Sequence, residues 1–347
     1  MTKNSKHIKN LRSLGEFGLI SRLNSKMTVK STKTLLGNGD DAAIFQPSTG
    51  TSLAVSCDSL VEGVHFDLSL TSSLKLGRKA VSANLSDMAS IGAKPVWLLI
   101  SLSIPSNFPY KSLDGLYEGV NQVCKEHQIE LAGGDTTRSP KGLGLHITIL
   151  GETKKNRWFP RSSANPGDAL FVTGSLGDSA LGLKILQSKH CWKGTKKDLK
   201  YLAERHLNPT PRLSESQILS KMSRFMGAMI DISDGLTQDL NHLCKASNVG
   251  VEVEEKKLPL SQEFKKIVKN NSIPSKKLIF SGGEDYELLF TFRPQSVKKL
   301  MNQFQKAAKR ITRIGTITNE NESLVFLKSD GTREIIRSPE GFNHFTK

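Results

Sequence analysis

The chain has 347 residues, 37% of them hydrophobic, 6% aromatic and 24% charged, with a net charge of +16. That length predicts about two domains of roughly 150 residues each, and the composition excludes a disordered chain. No segment approaches the ~18 consecutive apolar residues of a membrane span, and the opening MTKNSKHIKNLRSL lacks the apolar stretch of a secretory signal, which predicts a cytoplasmic protein with no membrane contact.

Residues 1–14 are polar, basic and aperiodic and read as a flexible tail. GEFGLISRL begins an amphipathic helix with Phe17, Ile20 and Leu23 facing inward. After the loop GNGDDA, the runs AAIF, SLAVS, PVWLLISLSI, IELA and LHITILGE have the length and turn-bounded form of strands. Between them, SLKLGRKAVSANLSDMASIGA and LDGLYEGVNQVCKEH carry apolar residues at helical intervals. The polar stretch from Thr153 to Asp168 reads as a linker, which divides the chain into an N-terminal domain over 15–152 and a C-terminal domain over 153–347. The second half opens on ALFVTG and continues through helices and the run GAMIDISDG. It closes with strands around LIFSGGEDYELLFTF and RITRIGTIT. Strands interleaved with helices predict an α/β (α+β) fold.

Cys57, Cys124, Cys191 and Cys244 show no C-x-x-C spacing, so neither a zinc site nor a disulfide framework is indicated, and reduced, mostly buried thiols are expected. The basic residues are spread along the chain rather than gathered into one arm. Nucleic-acid binding is therefore not expected as the main function, although the field would steer a small polyanion such as a nucleotide.

Against this basic background, aspartates recur at punctuation points. Asp40 and Asp41 lie in GNGDDAAIF, Asp58 follows LAVSC, and Asp87 lies in NLSDMASIG. Asp135 follows two glycines in AGGDTTRS, read as a glycine-led turn, and Asp231 and Asp234 lie in DISDG. Each has an ordinary reading as a turn former or helix cap. Together they suggest convergence, since ends of neighbouring strands lie only about 5 Å apart. Two carboxylates about 4 Å apart repel by roughly 4 kcal/mol at an effective dielectric near 20, so such a cluster raises its pKa values or binds cations. Hard oxygen donors of this kind suit Mg²⁺ together with phosphate oxygens. No Walker-type P-loop, dinucleotide fingerprint or protein-kinase motif pair occurs, so any nucleotide is handled through metal ions.

The ordered blocks GDDAA, NLSDMASIGAKP, AGGDTTRS, NPGDALFVTG, DISDG, SGGEDYEL and EGFNHF run from Gly39 to Phe345, within a match that covers about Gly15 to Phe345. In them the chain resembles the thiamine-monophosphate kinases, a family of the aminoimidazole-ribonucleotide-synthetase-like superfamily. The resemblance implies a two-domain α/β fold whose N-terminal mixed sheet pairs across a homodimer. It also implies transfer of the γ-phosphoryl group of ATP to thiamine monophosphate, giving thiamine diphosphate. Asp41, Ser56, Cys57, Asp58, Asp87, Asp135, Asp231 and Asp234 look like ligands of several Mg²⁺ ions, with Asp41, Asp58, Asp87, Asp135 and Asp234 at the reacting centre. Tyr117, Gly134, Asp135, Arg161 and Ser233 look like nucleotide contacts, and His65, Glu284 and Phe342 like substrate contacts, Phe342 offering a flat face to an aromatic cation. Tyr117 at helical spacing from Leu113 and Val120 also suits a core position, and His65 also suits a hydrogen-bonded loop histidine. The chain departs from the family at Cys57, where threonine is common, and at Asn38, where an apolar residue is usual. Another ATP-using enzyme of the superfamily, of the selenophosphate-synthetase or aminoimidazole-ribonucleotide-synthetase type, is the alternative. The first of these would carry a reactive cysteine in an N-terminal glycine-rich segment, which this chain lacks.

Overall fold

The computed structural model describes residues 15–37, 42–188, 191–321, 323–328 and 330–342, with the side chains of residues 15–17 left aside. Asn38, Asp40, Asp41, Phe17 as a packing residue, and the tail of residues 1–14 thus lie outside the described residues. The chain forms two compact units. The first comprises Met1–Leu85 and Pro95–Glu152, the second Ser86–Lys94 and Thr153–Lys347.

The first unit opens with α1 (Gly15–Ser25), which buries Leu19 and Leu23, one helical turn apart, while Ile20 is half-buried. There follow β1 (Thr34–Leu36), β2 (Ile44–Phe45), β3 (Thr51–Val61), α2 (Ser73–Ile91), β4 (Lys94–Pro105), α3 (Tyr110–His127), β5 (Glu130–Ser139) and β6 (Gly144–Lys154). Strands β3 to β6 make a four-stranded sheet in the order β3-β6-β4-β5, with β4 and β5 parallel. The glycines of α2 and α3 allow those helices to touch backbone to backbone. A Cβ at Gly77 would sit 2.0 Å from the Leu116 carbonyl oxygen, and one at Gly119 2.0 Å from that of Leu74.

The β1–β2 ribbon is strapped to this unit by two buried glutamates. Glu130 accepts from the Ser31 N–H (2.9 Å) and the Thr34 hydroxyl (2.5 Å), and Glu152 accepts from the Ser48 N–H (2.8 Å) and from Lys33. The Trp97 indole donates to Thr34 Oγ1 (2.8 Å) and packs against Phe45. Burying two carboxylates is tolerable because each is met by donors.

The second unit contains β7 (Ala169–Thr173), α4 (Asp178–Gln187), α5 (Lys196–Leu207), α6 (Leu213–Lys221), β8 (Met226–Asp231), α7 (Leu236–Ser247), β9 (Gly250–Glu254), α8 (Gln262–Asn270) and α9 (Lys276–Phe280). It ends with β10 (Leu288–Phe292), α10 (Val297–Lys306), β11 (Ile311–Thr318), β12 (Leu324–Leu327) and β13 (Arg333–Ile335). Seven strands form one mixed sheet, β13-β12-β9-β11-β7-β10-β8, in which only β9 and β12 pair parallel. Alternation along the strands separates the two faces. Leu170, Val172, Ala228, Ile230 and Leu289 join a core with Leu236, Leu240, Leu243, Phe264 and Ile267 of the helices, while Phe171 stacks on Phe290 at 5.5 Å.

Three expectations change. AGGDTTRS is not a turn but most of β5, paired with β4 from Trp97–Glu130 to Pro105–Ser139, with a register shift that leaves Ala132 unpaired as a bulge. Cross-strand pairing overrides the local turn preference of its glycines and aspartate. LIF at 278–280 belongs to α9 rather than a strand. Of the four cysteines, all free, Cys124 and Cys244 are buried but Cys57 and Cys191 are exposed.

Candidate functional site

In the second unit, β8 is an edge strand whose six residues are all buried and whose last residue is Asp231. The chain then turns through Ile232–Gly235 into α7. A second loop, Ser281–Glu287, pairs with this turn before entering β10. Tyr286 N–H donates to the Ile232 carbonyl, Ile232 N–H to that of Glu287, and Glu284 N–H to that of Ser233, each at 2.8 Å. The C-terminal segment is drawn to the same turn, where the Phe342 N–H donates to the Asp234 carbonyl (3.0 Å) and the Thr237 hydroxyl donates to that of Glu340 (2.7 Å). Asp231, Ser233, Asp234, Glu284 and Phe342, far apart in the chain, thus share one constellation. The Phe342 ring is 47% exposed.

Asp239, in the first turn of α7, completes this turn and was not singled out in the sequence, where it resembles an ordinary helical acid. Its carboxylate accepts from the Asp234 and Gly235 N–H groups at 3.2 and 3.1 Å. Burial, then the charges of Asp231 and Asp234, push its carboxyl up to about 8. Asp231 in turn accepts a 2.6 Å hydrogen bond from the Ser86 hydroxyl, and Ser86 immediately precedes Asp87 on α2. Arg161 lies in a short 3-10 turn whose carbonyl accepts from Ser247 Oγ at 2.7 Å. Burial and then the Arg161 guanidinium lower the pKa of His242, while Asp234 opposes them.

Beneath the Ser281–Glu287 loop lies a buried charged network that the sequence reading also missed. Glu287 accepts from Arg212 (2.6 and 2.5 Å), Arg205 (2.9 Å) and the Thr173 hydroxyl (2.7 Å). Burial favours its neutral form, but the two arginines hold it below the usual carboxylate range. Asp285 accepts from the Gly177 and Ser179 N–H groups at the start of α4, at 2.7 and 3.2 Å. Burial pushes it up to about 7 against the pull of Arg205. Asp178 accepts from Ser175 (2.5 Å), Ser261 (2.6 Å) and Tyr201 (3.3 Å). The only local signal was three acids within GEDYE, directly before an apolar strand.

In the first unit, Ser56, Cys57 and Asp58 lie on β3 and Gly134 and Asp135 on β5, at opposite edges of the four-stranded sheet. At about 4.8 Å per strand that separates β3 from β5 by roughly 14 Å, so the sheet does not bring Asp58 beside Asp135. Neither acid sits at a strand end. Gly134 is required by close approach, since a Cβ there would lie 2.0 Å from the Ile100 carbonyl oxygen of β4. His65 Nδ1 accepts from the Val61 N–H (3.0 Å), which fixes the neutral ring's proton on Nε2. Tyr117 is 5% exposed on the packed face of α3, and burial raises its hydroxyl pKa.

Among the described residues no group of three or more His, Cys, Asp or Glu side chains is gathered closely enough to hold a metal ion, and Asp41 falls outside them. A Mg²⁺ ion in general needs no all-protein cage, since one or two carboxylates with water and phosphate oxygens suffice to hold it.

Two domain models match the chain: AIR synthase related protein, N-terminal domain, over residues 39–153, and AIR synthase related protein, C-terminal domain, over 165–328. The fold is therefore that of an AIR synthase related protein. Within that class the chain belongs to the thiamine-monophosphate kinase family. It is 35% identical over 332 residues to the Bacillus subtilis thiamine-monophosphate kinase, covering 96% of this chain and all of the relative. The crystal structure of the Stenotrophomonas maltophilia thiamine-monophosphate kinase, 34% identical, superposes with a TM-score of 0.79 over 92% of this chain and 98% of that one. AaThiL complexed with AMPPCP and TMP is 32% identical, with a TM-score of 0.75 over 98% of this chain and all of the other.

Proposed function

We propose that the chain transfers the γ-phosphoryl group of ATP directly to thiamine monophosphate, giving thiamine diphosphate, in the cytoplasm and as a homodimer. The observation that carries this reading is the end-to-end similarity to a solved kinase that holds AMPPCP and TMP together. Asp231 and Asp234 with Asp87, and Asp41, Ser56, Cys57, Asp58 and Asp135 from the first unit, are the proposed metal-binding residues. Cys57 takes part through its backbone carbonyl, since a thiol is a poor ligand for a hard cation. These residues would hold Mg²⁺, which would supply positive charge against the negative charge developing in transfer. Gly134, Asp135, Arg161 and Ser233 position the nucleotide, Arg161 as a fixed cation for its phosphates. Glu284, His65 and Phe342 hold thiamine monophosphate, the exposed Phe342 ring facing its aromatic cation.

The attacking phosphate oxygen is ionised near neutral pH, so no strong general base and no covalent enzyme intermediate is called for, and positioning carries the rate. Dimerisation is supported by edge strand β3, which exposes Leu53, Val55 and Val61. The test is formation of thiamine diphosphate from ATP and thiamine monophosphate by the purified chain, with Mg²⁺ and with a chelator. Product is expected only with the metal, and no product with saturating ATP, substrate and Mg²⁺ would overturn the proposal.

A further inference from the structure

Glu284 sits in an unusual piece of backbone. Glu284 and Tyr286, neither a glycine, have φ of +63° and +51° and flank Asp285. Left-handed conformations at non-glycine residues carry strain of order 1 kcal/mol each and persist only where the surroundings over-determine them. Here they do. The backbone is pinned at Ser233 and Ile232, Asp285 is tied to the start of α4, and Arg205 donates both to the Asp285 carbonyl (3.1 Å) and to Glu287. A loop held this firmly fixes the origin of the Glu284 side chain but not the direction of its carboxylate.

One further contact sets that direction. His206, buried near the end of α5, places Nδ1 3.1 Å from Glu284 Oε2 and 3.1 Å from Ser179 Oγ. An ionised carboxylate can only accept, so the ring faces it as a donor when Nδ1 is protonated, as it is in the imidazolium and in one neutral tautomer, and the Ser179 oxygen lies within reach of the same nitrogen. The carboxylate itself remains partly accessible, its side chain 26% exposed. A buried donor behind a half-exposed acid is the arrangement that locks a ligand-binding group in one rotamer.

We infer that His206 is a positioning residue that orients the Glu284 carboxylate toward thiamine monophosphate through its Nδ1–H. This rests on the reading of Glu284 as a substrate contact given above. His206 touches no reacting atom, so its loss weakens binding of the phosphate acceptor and leaves ATP binding unchanged.

The test compares two amides. His206→Asn places an N–H near the position of Nδ1, whereas His206→Gln places it near that of Nε2, and both are polar and similar in volume to the imidazole. His206→Gln is expected to raise KM for thiamine monophosphate about tenfold, the worth of one hydrogen bond to a charged group, while KM for ATP holds. His206→Asn is expected to stay within about threefold of the parent. Glu284→Gln should raise the same KM, and adding His206→Gln to it should cause no further rise, because the two act as one unit. Equal KM values for the two His206 variants, with Glu284→Gln impaired, would overturn the inference and leave the substrate reading standing. An unchanged KM in Glu284→Gln would instead remove Glu284 from the substrate site, and this inference with it.

Discussion

The Ser86 hydroxyl donates a 2.6 Å hydrogen bond to the Asp231 carboxylate, with both side chains buried. Asp231 also lies close enough to Asp239 to help raise that residue's pKa, so the serine stabilises one member of a mutually repelling set. Ser86→Ala leaves a buried carboxylate short of a donor. A loss of about 1–2 kcal/mol in urea unfolding is expected.

Asp285 gives the stability a definite pH sign. Its folded pKa of about 7 stands above the unfolded value of about 3.9, so the folded state binds the extra proton between those values. The contribution is full below pH ~4 and is lost as pH rises through 7. The melting temperature should therefore fall from pH 6 to pH 8, and Asp285→Asn should flatten that slope.

Glu287 behaves in the opposite sense, because the arginines hold its folded pKa below the unfolded one. Its contribution is present above pH ~4.3 and is lost as pH falls through the depressed folded value. Glu287→Gln leaves the partly buried guanidinium groups of Arg205 and Arg212 with the longer ion pairs to Asp178 (3.9 Å) and Glu215 (4.0 Å), and a cost of about 3 kcal/mol is expected at neutral pH, measured by chemical denaturation.

Asp135 is exposed on β5, so Asp135→Asn should leave the melting temperature within about 1 °C of the parent, as surface substitutions do. Turnover should drop by at least about a hundredfold if the carboxylate serves the phosphoryl transfer. Parental turnover in this variant and in Asp87→Asn would remove both from the metal-binding set.

Gly134→Ala tests the close approach of β5 to β4. The methyl group would press on the Ile100 carbonyl oxygen at 2.0 Å, backbone that cannot swing aside as a flexible side chain does. Destabilisation of about 2–3 kcal/mol or more is expected, with overpacking as the cause.

Much of the architecture was legible because buried strands read as apolar runs. ALFVT, MGAMID and the run through PVWLLISLSI appear as strands β7, β8 and β4 where the sequence placed them. Fold class and family were legible too, through ordered motif blocks rather than periodicity. The turn at DISDG was anticipated, and it is where Asp231, Ser233, Asp234, Glu284 and Phe342 gather. The conformation of AGGDTTRS was not, because its residues favour turns and only pairing with β4 makes them a strand. The network under Glu284 was invisible for a different reason. Glu287 meets Thr173, Arg205 and Arg212 across separations of 75 to 114 residues, and nothing local distinguishes those arginines from the chain's many surface cations.

The extra residue at Ala132 lets β5 run one position longer than its neighbour without losing step. Glu130 pairs with Trp97 and Asp135 with Ser101, five positions apart on β5 but four on β4, and the bulge takes up the difference. Excising Ala132 would therefore keep Asp135 opposite Ser101 and Glu130 on Ser31 and Thr34, whereas excising a paired residue farther along would slip the rest of the ladder by one and turn its side chains over.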